Sequence, residues 1–235
     1  MRILIISDVH SNIQALSAVW EKEKEVDKVF CLGDLVNYGP NPRECIEFVR
    51  SISNKILKGN HDNAVGGGPG DCGCPPQYRI VSEPAKRYTQ GVLNEGDKEF
   101  LRTLPLVEEI ELDGSKFLLS HGSPKGDNCK FLPPGTPDEV MAKELEGVEA
   151  DFVFIGHTHL SMLRRVNGVV VVNPGSLGFP SGDNPMSSYA IWEDGEVEIK
   201  RVKYDVGGAV NALKATGMSP ETIDALSRKL TSGRF

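Results

Sequence analysis

All five histidines of the chain directly follow short apolar runs and lie beside Asp, Asn or Gly. They occur in the segments Asp8-Val9-His10, Asn60-His61-Asp62, His121-Gly122 and Gly156-His157-Thr158-His159. A single histidine at such a position is usually an ordinary core or surface residue, but random placement would scatter some of the five onto helices. Since the strand ends at one edge of an α/β sheet converge, we expect all five to meet in one site.

The residue types indicate a centre for two metal ions. Asp8 and His10 are separated by one residue, as are His157 and His159, so each pair can reach one ion from an extended strand end. Imidazole and carboxylate together suit Zn, Fe or Mn rather than Ca. The candidate donors are too many for one ion and fit two if Asp34 bridges them: Asp8, His10, Asp34, Asn60, His121, His157 and His159. We expect two divalent transition-metal ions per chain, with Mn²⁺ as the best activator and Fe or Zn as alternatives.

Strands and helices alternate along the part of the chain that positions these residues. Apolar runs predict buried strands at 3–6, 29–32, 55–57, 117–119, 152–155 and 169–172. Because the runs are continuous, the sheets should be covered on both faces. A first helix is predicted from Ile13, Leu16 and Trp20, and further helix starts at Asn41-Pro42, Thr136-Pro137 and Ser219-Pro220. Repeated strand-then-helix order predicts an α/β fold.

Three further segments set the predicted domain limits. Asp194-Gly195 separates two apolar runs and predicts a hairpin with a tight turn. Residues 66–76 contain five Gly and three Pro and predict an irregular loop. We predict one domain at 1–205, with an insert at 66–104 that could act as a cap, and a helical tail at 206–235.

The composition excludes several classes of protein. With 39% hydrophobic and 25% charged residues and a net charge of −7, the chain is typical of a soluble globular protein. No basic stripe predicts a nucleic-acid partner, and no apolar stretch reaches membrane-spanning length. No signal peptide is visible and the five cysteines match no zinc ribbon, so we expect a reducing, cytoplasmic setting. Cys72-Gly73-Cys74 lacks a second cysteine pair, and we interpret it as a loop without a metal or redox role.

The order of the motifs resembles that of the calcineurin-like metallophosphoesterase superfamily. D-x-H at Asp8, G-D at Asp34, G-N-H-D at Asn60, H-G at His121 and G-H-x-H at His157 occur in the family's order, with Asn173-Pro174-Gly175-Ser176 after them. The segment 33–40 is similar to bacterial and archaeal proteins related to diadenosine tetraphosphatase and serine/threonine phosphatases. The resemblance implies a four-layer α/β/β/α sandwich, in which two packed β-sheets are flanked by helices and the metals lie at strand ends.

The resemblance also implies a role for each candidate residue. One ion would be held by Asp8, His10, Asp34 and His159, and the other by Asp34, Asn60, His121 and His157. His61 would be the catalytic histidine, and Asp62 would either orient a neighbour or cap the next helix. Asn37 and Tyr38 stand where serine/threonine phosphatases carry an acid and a phosphate-gripping Arg, which disfavours a phosphoprotein substrate. Asn37, Tyr38 and Arg43 are candidate substrate-binding residues.

These residues together predict hydrolysis of a phosphate ester. Two divalent cations outweigh the charges of Asp8 and Asp34, so the site should attract a phosphate group although the chain is acidic. Metal coordination lowers the pKa of water toward ~7, and the resulting hydroxide can attack phosphorus while His61 assists the leaving oxygen. We expect a small phosphorylated molecule or a nucleotide as the substrate.

Three other functions compete with this prediction. A non-catalytic metal-binding scaffold on the same fold should lack the catalytic His or several ligands, whereas this chain keeps all of them. A nuclease should carry a basic groove, and none is evident. A diesterase acting on a cyclic or dinucleotide substrate stays open, because the same core serves monoesters and diesters.

Overall fold

A computed structural model of the chain describes residues 1–68, 72–74, 76–182 and 186–234. The strands are β1 (Arg2–Ile6), β2 (Lys28–Cys31), β3 (Lys55–Ile56), β4 (Val107–Leu112), β5 (Ser115–Ser120), β6 (Phe152–Phe154), β7 (Met162–Val166), β8 (Val169–Asn173), β9 (Ser187–Glu193) and β10 (Glu196–Val202). The helices are α1 (Ile13–Glu23), α2 (Pro42–Ile52), α3 (Asn60–Gly66), α4 (Pro76–Val92), α5 (Glu95–Thr103), α6 (Asp138–Glu144), α7 (Val206–Lys214) and α8 (Pro220–Ser232).

The described strands form two mixed five-stranded sheets. The first has the order β10-β9-β1-β2-β3 and the second the order β4-β5-β6-β8-β7. In the first sheet β1, β2 and β3 are parallel, and in the second β5, β6 and β8 are parallel. The remaining strands add antiparallel edges, including the predicted β9–β10 hairpin at Asp194-Gly195. The parallel strands end at a common edge of each sheet, and the loops after them carry the candidate residues.

Alternating burial along the strands produces the layers. Ile3 and Ile5 of β1 face the second sheet and pack in one cluster with Phe117, Phe154 and Trp192. Their neighbours Leu4 and Ile6 point the other way, into the cluster formed with α1 and α2. A third cluster packs α6 on the outer face of the second sheet. The predicted α/β fold with two packed sheets flanked by helices is therefore confirmed.

The helix starts follow the predicted sequences with two local differences. α2 begins at Pro42, but the side chain of Asn41 makes no capping hydrogen bond. α6 begins one residue later than expected, so Pro137 occupies the N-cap position. The Ser219 side chain accepts from the Thr222 N–H and caps α8 as predicted.

The two segments predicted as insert and tail meet beside the candidate site. Residues 69–71 and 75 of the predicted irregular loop lie outside the described residues, while 72–74 have no regular secondary structure. Helices α4 and α5 follow this loop. Leu213, Leu226 and Leu230 of the C-terminal helices pack in one cluster with Tyr38 and Phe179. The domain limits stay a prediction. Helices α7 and α8 pack against Tyr38 and Phe179 beside the candidate site.

None of the helices in the described part of the chain has the length and apolar sequence needed to cross a bilayer.

Candidate metal centre

The predicted donors come from the strand ends of both sheets. Asp8, Asp34 and Asn60 follow β1, β2 and β3, whereas His121 follows β5 and His157 follows β6. The ligand atoms form two groups, each within 4.8 Å: one from Asp8, His10 and His159, the other from Asp34, His121 and His157. The structure thus brings the predicted donors together at one end of the inter-sheet core, as expected for strand ends that converge.

Asp34 and Asn60 complete and connect the two groups. Asn60 Oδ1 lies 3.0 Å from His121 Nε2 and 2.9 Å from His157 Nδ1. Asp34 Oδ2 lies 3.3 Å from His121 Nε2 in one group and 3.7 Å from His10 Nε2 in the other. One carboxylate oxygen of Asp34 is therefore placed between the groups, in a position suited to a bridging ligand.

Seven of the candidate residues have left-handed backbone conformations. They are Asp8, His10, Asp34, Asn37, Tyr38, His157 and His159, with φ between +46° and +75°. Such conformations cost on the order of 1–3 kcal/mol for non-glycine residues and persist only where the surroundings hold them. Here the loop after β1 is held against the loop after β2: Asp8 N donates to Gly33 O at 3.0 Å and His10 N to Asp34 O at 2.9 Å.

Two glycines allow the carboxylates to approach the neighbouring loops. A Cβ on Gly59 would lie 1.9 Å from Asp34 Oδ1, and a Cβ on Gly156 would lie 2.0 Å from Ser7 Oγ and 3.0 Å from Asp8 Oδ2. A side chain at residue 59 would displace the Asp34 carboxylate, and one at residue 156 would displace Ser7 and crowd Asp8. This explains why a glycine precedes both Asn60 and His157 in the motifs.

Hydrogen bonds to the main chain orient three histidines. Nδ1 of His10 lies 3.2 Å from Val36 O, and Nδ1 of His121 lies 2.9 Å from Leu32 O. Nδ1 of His159 lies 2.9 Å from a third carbonyl oxygen, that of Phe179. A carbonyl oxygen only accepts, so each Nδ1 donates to it and each ring turns its Nε2 toward the site.

The Nε2 atoms of two of these rings lie close to each other and to a carboxylate. His10 Nε2 and His159 Nε2 are only 3.0 Å apart. Asp8 Oδ1 is buried without a hydrogen-bond partner among the described residues and lies 3.3 Å from His159 Nε2. Nitrogen and carboxylate lone pairs this close together need a proton or a cation between them. The donor set, with its imidazole nitrogens and carboxylate oxygens, fits divalent metal ions.

The electrostatics of the site favour ligation. Burial lowers the pKa of His10 to about 3 and that of His157 to about 4, so both rings are neutral. Burial opposes ionisation of Asp8, but the imidazoles of His159 and His121 hold its pKa down at about 2. Burial also disfavours a charged His121, but Asp34 and Asp8 outweigh it and raise the His121 pKa to about 9. A proton on His121 would therefore compete with a cation for the same lone pair.

His61 points into the same site but has a different partner. Asn37 Oδ1 accepts from Tyr38 N at 2.8 Å, which turns Asn37 Nδ2 toward His61 Nδ1 at 2.7 Å. The amide N–H donates to Nδ1, so the single proton of the neutral ring lies on Nε2. Burial lowers the pKa of His61, which favours this neutral form. The main chain is fixed by His61 N donating to Asp34 Oδ1 at 2.8 Å.

A cavity of about 390 Å³ opens over these residues. Asp34, Asn60, His61, His157 and His159 form part of its lining. The rest includes side chains that sequence reasoning missed: Cys74, Tyr78, Phe131, Phe179 and Lys229. Tyr78 is 39% and Phe131 58% exposed, so two aromatic rings are accessible from the cavity. None of these residues lies in a motif, and only the packing of distant segments brings them to the site.

Tyr38 lies at the cavity, whereas Arg43 lies away from it. Tyr38 is buried and lines the cavity, with its ring centroid 4.9 Å from that of His10 and 4.8 Å from that of His61. Arg43 is exposed on α2, pairs with Glu47 at 3.1 Å and is not among the residues that line the cavity. The structure therefore does not bring Arg43 to the site.

Asp62 joins two of the motif loops. Its carboxylate accepts from Leu35 N at 2.8 Å and Val36 N at 3.2 Å in one loop, and from Gly59 N at 3.0 Å in the other. The bond to Gly59 closes the first turn of α3, so Asp62 caps the helix and also orients the loop that carries Asp34.

Cys72 and Cys74, interpreted from the sequence as part of a loop without a metal or redox role, lie close to the candidate site. Both are buried, and their side chains are joined in a disulfide. Cys74 Sγ lies 3.6 Å from His61 Nε2. The short local sequence did not reveal this contact, because His61 lies on a different element, the helix α3.

Comparisons with known proteins cover nearly the whole chain. The profile of the calcineurin-like phosphoesterase superfamily domain matches residues 1–195. An uncharacterised protein of Methanocaldococcus jannaschii is 33% identical over 224 residues, which is 87% of this chain and 88% of that protein. Phosphodiesterase YfcE of Escherichia coli K12 is 24% identical over 199 residues, 80% of this chain and 85% of YfcE. The crystal structure of a metallophosphoesterase from Sphaerobacter thermophilus matches with a TM-score of 0.82 and 31% identity, over 99% of this chain and 100% of that one.

Proposed function

Because the chain belongs to the calcineurin-like phosphoesterase superfamily, we propose that it hydrolyses a phosphate ester with the aid of two divalent cations. The observation that carries the proposal is the set of imidazole nitrogens and carboxylate oxygens that face one another. His10 Nε2 and His159 Nε2 are 3.0 Å apart beside the unpartnered Asp8 Oδ1. Such an arrangement is stable only around positive charge.

Each ion is assigned its own residues, with one carboxylate shared. Asp8, His10 and His159 hold the first ion, and Asn60, His121 and His157 hold the second. Asp34 bridges them, in keeping with its contacts to His10 and His121. When bound, two such ions activate the attacking water and neutralise charge on the phosphoryl oxygens. Mn²⁺ is the proposed activator because carboxylate, amide and imidazole donors suit it together.

His61 supplies a hydrogen bond to the leaving oxygen. Its Nδ1 accepts from Asn37, so Nε2 carries a proton and can donate it into the cavity. Asn37 acts as a positioning residue for His61 rather than as a direct phosphate contact. A lost general-acid or hydrogen-bond donor typically costs about 10²–10⁴ in rate.

The cavity favours a small organic ester over a phosphoprotein. Its volume of about 390 Å³ falls within the range of small-molecule sites. The accessible rings of Tyr78 and Phe131 can stack on an aromatic or nucleobase group of the substrate. Tyr38 is buried and cannot replace the bidentate guanidinium that grips phosphate in protein phosphatases.

A substrate panel on metal-reconstituted protein tests this function. Aryl and alkyl monoesters, aryl diesters, a dinucleoside polyphosphate and a phosphoserine peptide are compared with Mn²⁺, without metal and with a chelator. We expect Mn²⁺-dependent turnover that chelation abolishes, with the phosphopeptide among the poorest substrates. His61→Ala should lower turnover by about 10²–10⁴ and should slow the alkyl ester more than the aryl ester, whose leaving group needs less protonation.

Arg43→Ala is the matched control, because it removes an exposed charge outside the cavity and should leave turnover unchanged. Turnover that survives verified metal removal would contradict the proposal. Binding of Mn²⁺ without hydrolysis of any ester would favour the non-catalytic scaffold instead.

A further inference from the structure

The Cys72-Gly73-Cys74 tripeptide lies at the edge of the cavity, where Gly73 and Cys74 form part of the lining. Cys72 is 1% and Cys74 8% exposed, and the two are joined in a disulfide. Cys74 lines the cavity, whereas Cys72 Sγ lies behind it, 3.7 Å from Ser82 Oγ. Gly73 has a φ of +64°, and a Cβ there would lie 2.8 Å from Cys129 Sγ. A side chain at residue 73 would therefore require Cys129 to move and would be strained by the positive φ.

Two contacts connect this tripeptide to residues of the proposed reaction. Asn60 Nδ2 donates to the Cys72 carbonyl oxygen, which leaves Asn60 Oδ1 directed at His121 and His157. Cys74 Sγ lies 3.6 Å from His61 Nε2. The covalent state of the two sulphur atoms thus bears on Asn60 through the main chain and on His61 directly.

We propose that Cys72 and Cys74 form a reversible thiol–disulfide exchange site that reacts with a low-molecular-weight disulfide such as oxidised glutathione. Cys74 is the attacking thiol because it reaches the cavity, and Cys72 is the resolving thiol because it is buried beside it. Cys31 and Cys45 are fully buried, and burial raises the pKa of both thiols far above the ordinary value, so neither competes.

The exchange proceeds in two balanced steps. The Cys74 thiolate attacks one sulphur of the small disulfide, bonds to that half and releases the other half, which takes up the proton that Cys74 lost. The Cys72 thiolate then attacks Cys74 Sγ and releases the second half as a thiol. The protein loses two hydrogens as its disulfide forms, the small disulfide gains them, and a small dithiol reverses the reaction.

The consequence for the metal centre rests on the proposed function. The disulfide restrains the Cys72 carbonyl that orients the Asn60 amide, so reduction releases this restraint. Partners that orient a metal ligand typically contribute a factor of 10–100 to metal affinity. Loosening rather than removing such a partner should weaken the binding of one of the two Mn²⁺ ions by up to about tenfold.

Intact-mass analysis and peptide mapping test the exchange without reference to phosphoesterase activity. The reduced protein is incubated with oxidised glutathione. Wild type should lose two hydrogens without retaining glutathione, and the map should join Cys72 to Cys74. Cys72→Ser cannot resolve the intermediate and should retain one glutathione on Cys74. Cys129→Ser is the matched control, since it removes the neighbouring exposed thiol and should react as wild type does.

Three results would overturn the exchange site: no reaction of Cys72 and Cys74, a disulfide that joins either of them to Cys129, or no adduct on Cys74 in Cys72→Ser.

Mn²⁺ titrations of the oxidised and reduced wild-type protein test the coupling to Asn60. We expect the reduced form to bind one ion more weakly. Equal affinities in both forms would overturn the coupling. No Mn²⁺ binding in either form would overturn the proposed metal centre, and the mass analysis would then decide the exchange reaction separately.

Discussion

The protonation of His61 depends on the identity of a single neighbour. Asn37 cannot reverse its amide freely, because its Oδ1 accepts from Tyr38 N. It therefore donates to His61 Nδ1 and supports the neutral ring. A carboxylate at the same place would accept from a protonated Nδ1 and would stabilise imidazolium instead. Asn37 thus makes His61 a neutral hydrogen-bond donor.

Asn37→Asp should convert His61 into a stronger proton donor. Asp tolerates the left-handed backbone of residue 37 and can still accept from Tyr38 N, so the loop should be kept. The new charge raises the pKa of His61, so the protonated ring persists to higher pH. The alkaline limb of the pH–rate profile for an alkyl ester should therefore move upward by on the order of one pH unit.

Asn37→Ala distinguishes the effect of a new charge at residue 37 from the effect of losing the contact to His61. It removes the contact to His61 without adding a carboxylate, so it should lower the rate without moving the alkaline limb upward. If Asn37→Asp left the profile of the alkyl ester unchanged, Asn37 would only close the turn before Gly39 and would not control His61.

At the scale of elements, most strands were predictable, whereas the two edge strands β4 and β7 of the second sheet were not. β1, β2, β5, β6 and β8 carry continuous apolar runs because helices or the opposite sheet cover both faces. β4 and β7 lie at the edges of the second sheet, and their sequences mix apolar with charged residues that are partly exposed. Their position depends on pairing with β5 and β8, which a local hydrophobic pattern does not contain.

The buried carboxylate of Glu23 connects α1 to the first sheet through hydrogen bonds. Glu23 is 3% exposed and accepts from Tyr189 Oη of β9 at 2.7 Å and from Arg2 Nη2 of β1. Burial opposes ionisation, but the hydrogen bonds from Tyr189 and Arg2 hold the pKa of Glu23 below its ordinary value of 4.5. The carboxylate therefore stabilises the fold above pH 4.5, and this contribution is lost as the pH falls through the lower pKa of the folded state.

Glu23→Gln should lower the free energy of unfolding at pH 7 by about 1.5–3 kcal/mol, the usual value for hydrogen bonds to a charged group. The difference from wild type should shrink in acid, because wild type loses the same charge there. Denaturant unfolding of both proteins at pH 7 and at a pH below 4.5 measures this difference. Glu21→Gln is the matched control on the same helix, since Glu21 is exposed and pairs only with Lys24 among the contacts described. If the difference in free energy of unfolding between wild type and Glu23→Gln stayed constant with pH, the stabilising role of the charged Glu23 would be contradicted.

Across the whole molecule, the metal-ligand candidates of the site could be predicted, whereas the other residues that line the cavity could not. Asp8, His10 and the other donors have rare residue types in ordered motifs, and the parallel sheets bring strand ends together whatever the loops do. Phe131 precedes α6 and Lys229 lies on α8, so each reaches the cavity only through tertiary packing. The side chains on this side of the cavity were accordingly the least predictable part of the site.

The proposed centre joins the two sheets, so metal binding should stabilise the whole fold. Asp8 and Asp34 come from the first sheet, whereas His121 and His157 come from the second. A ligand at 100 times its dissociation constant adds about 2.7 kcal/mol to the free energy of unfolding. For a domain of this size that corresponds to a rise in Tm of roughly 5–10 °C. Mn²⁺ should therefore raise the Tm of wild type, and a chelator should reverse the rise.

Asp34→Asn should remove most of this rise, because the Asp34 carboxylate contacts members of both groups. It should also lower the stoichiometry from two Mn²⁺ ions per chain, as measured by elemental analysis after reconstitution. Asp224→Asn removes an exposed carboxylate on α8 and serves as the matched control, with the wild-type stoichiometry and Tm response expected. If Mn²⁺ raised the Tm of Asp34→Asn as much as that of the control, Asp34 would not be a bridge and the two groups would not form one centre.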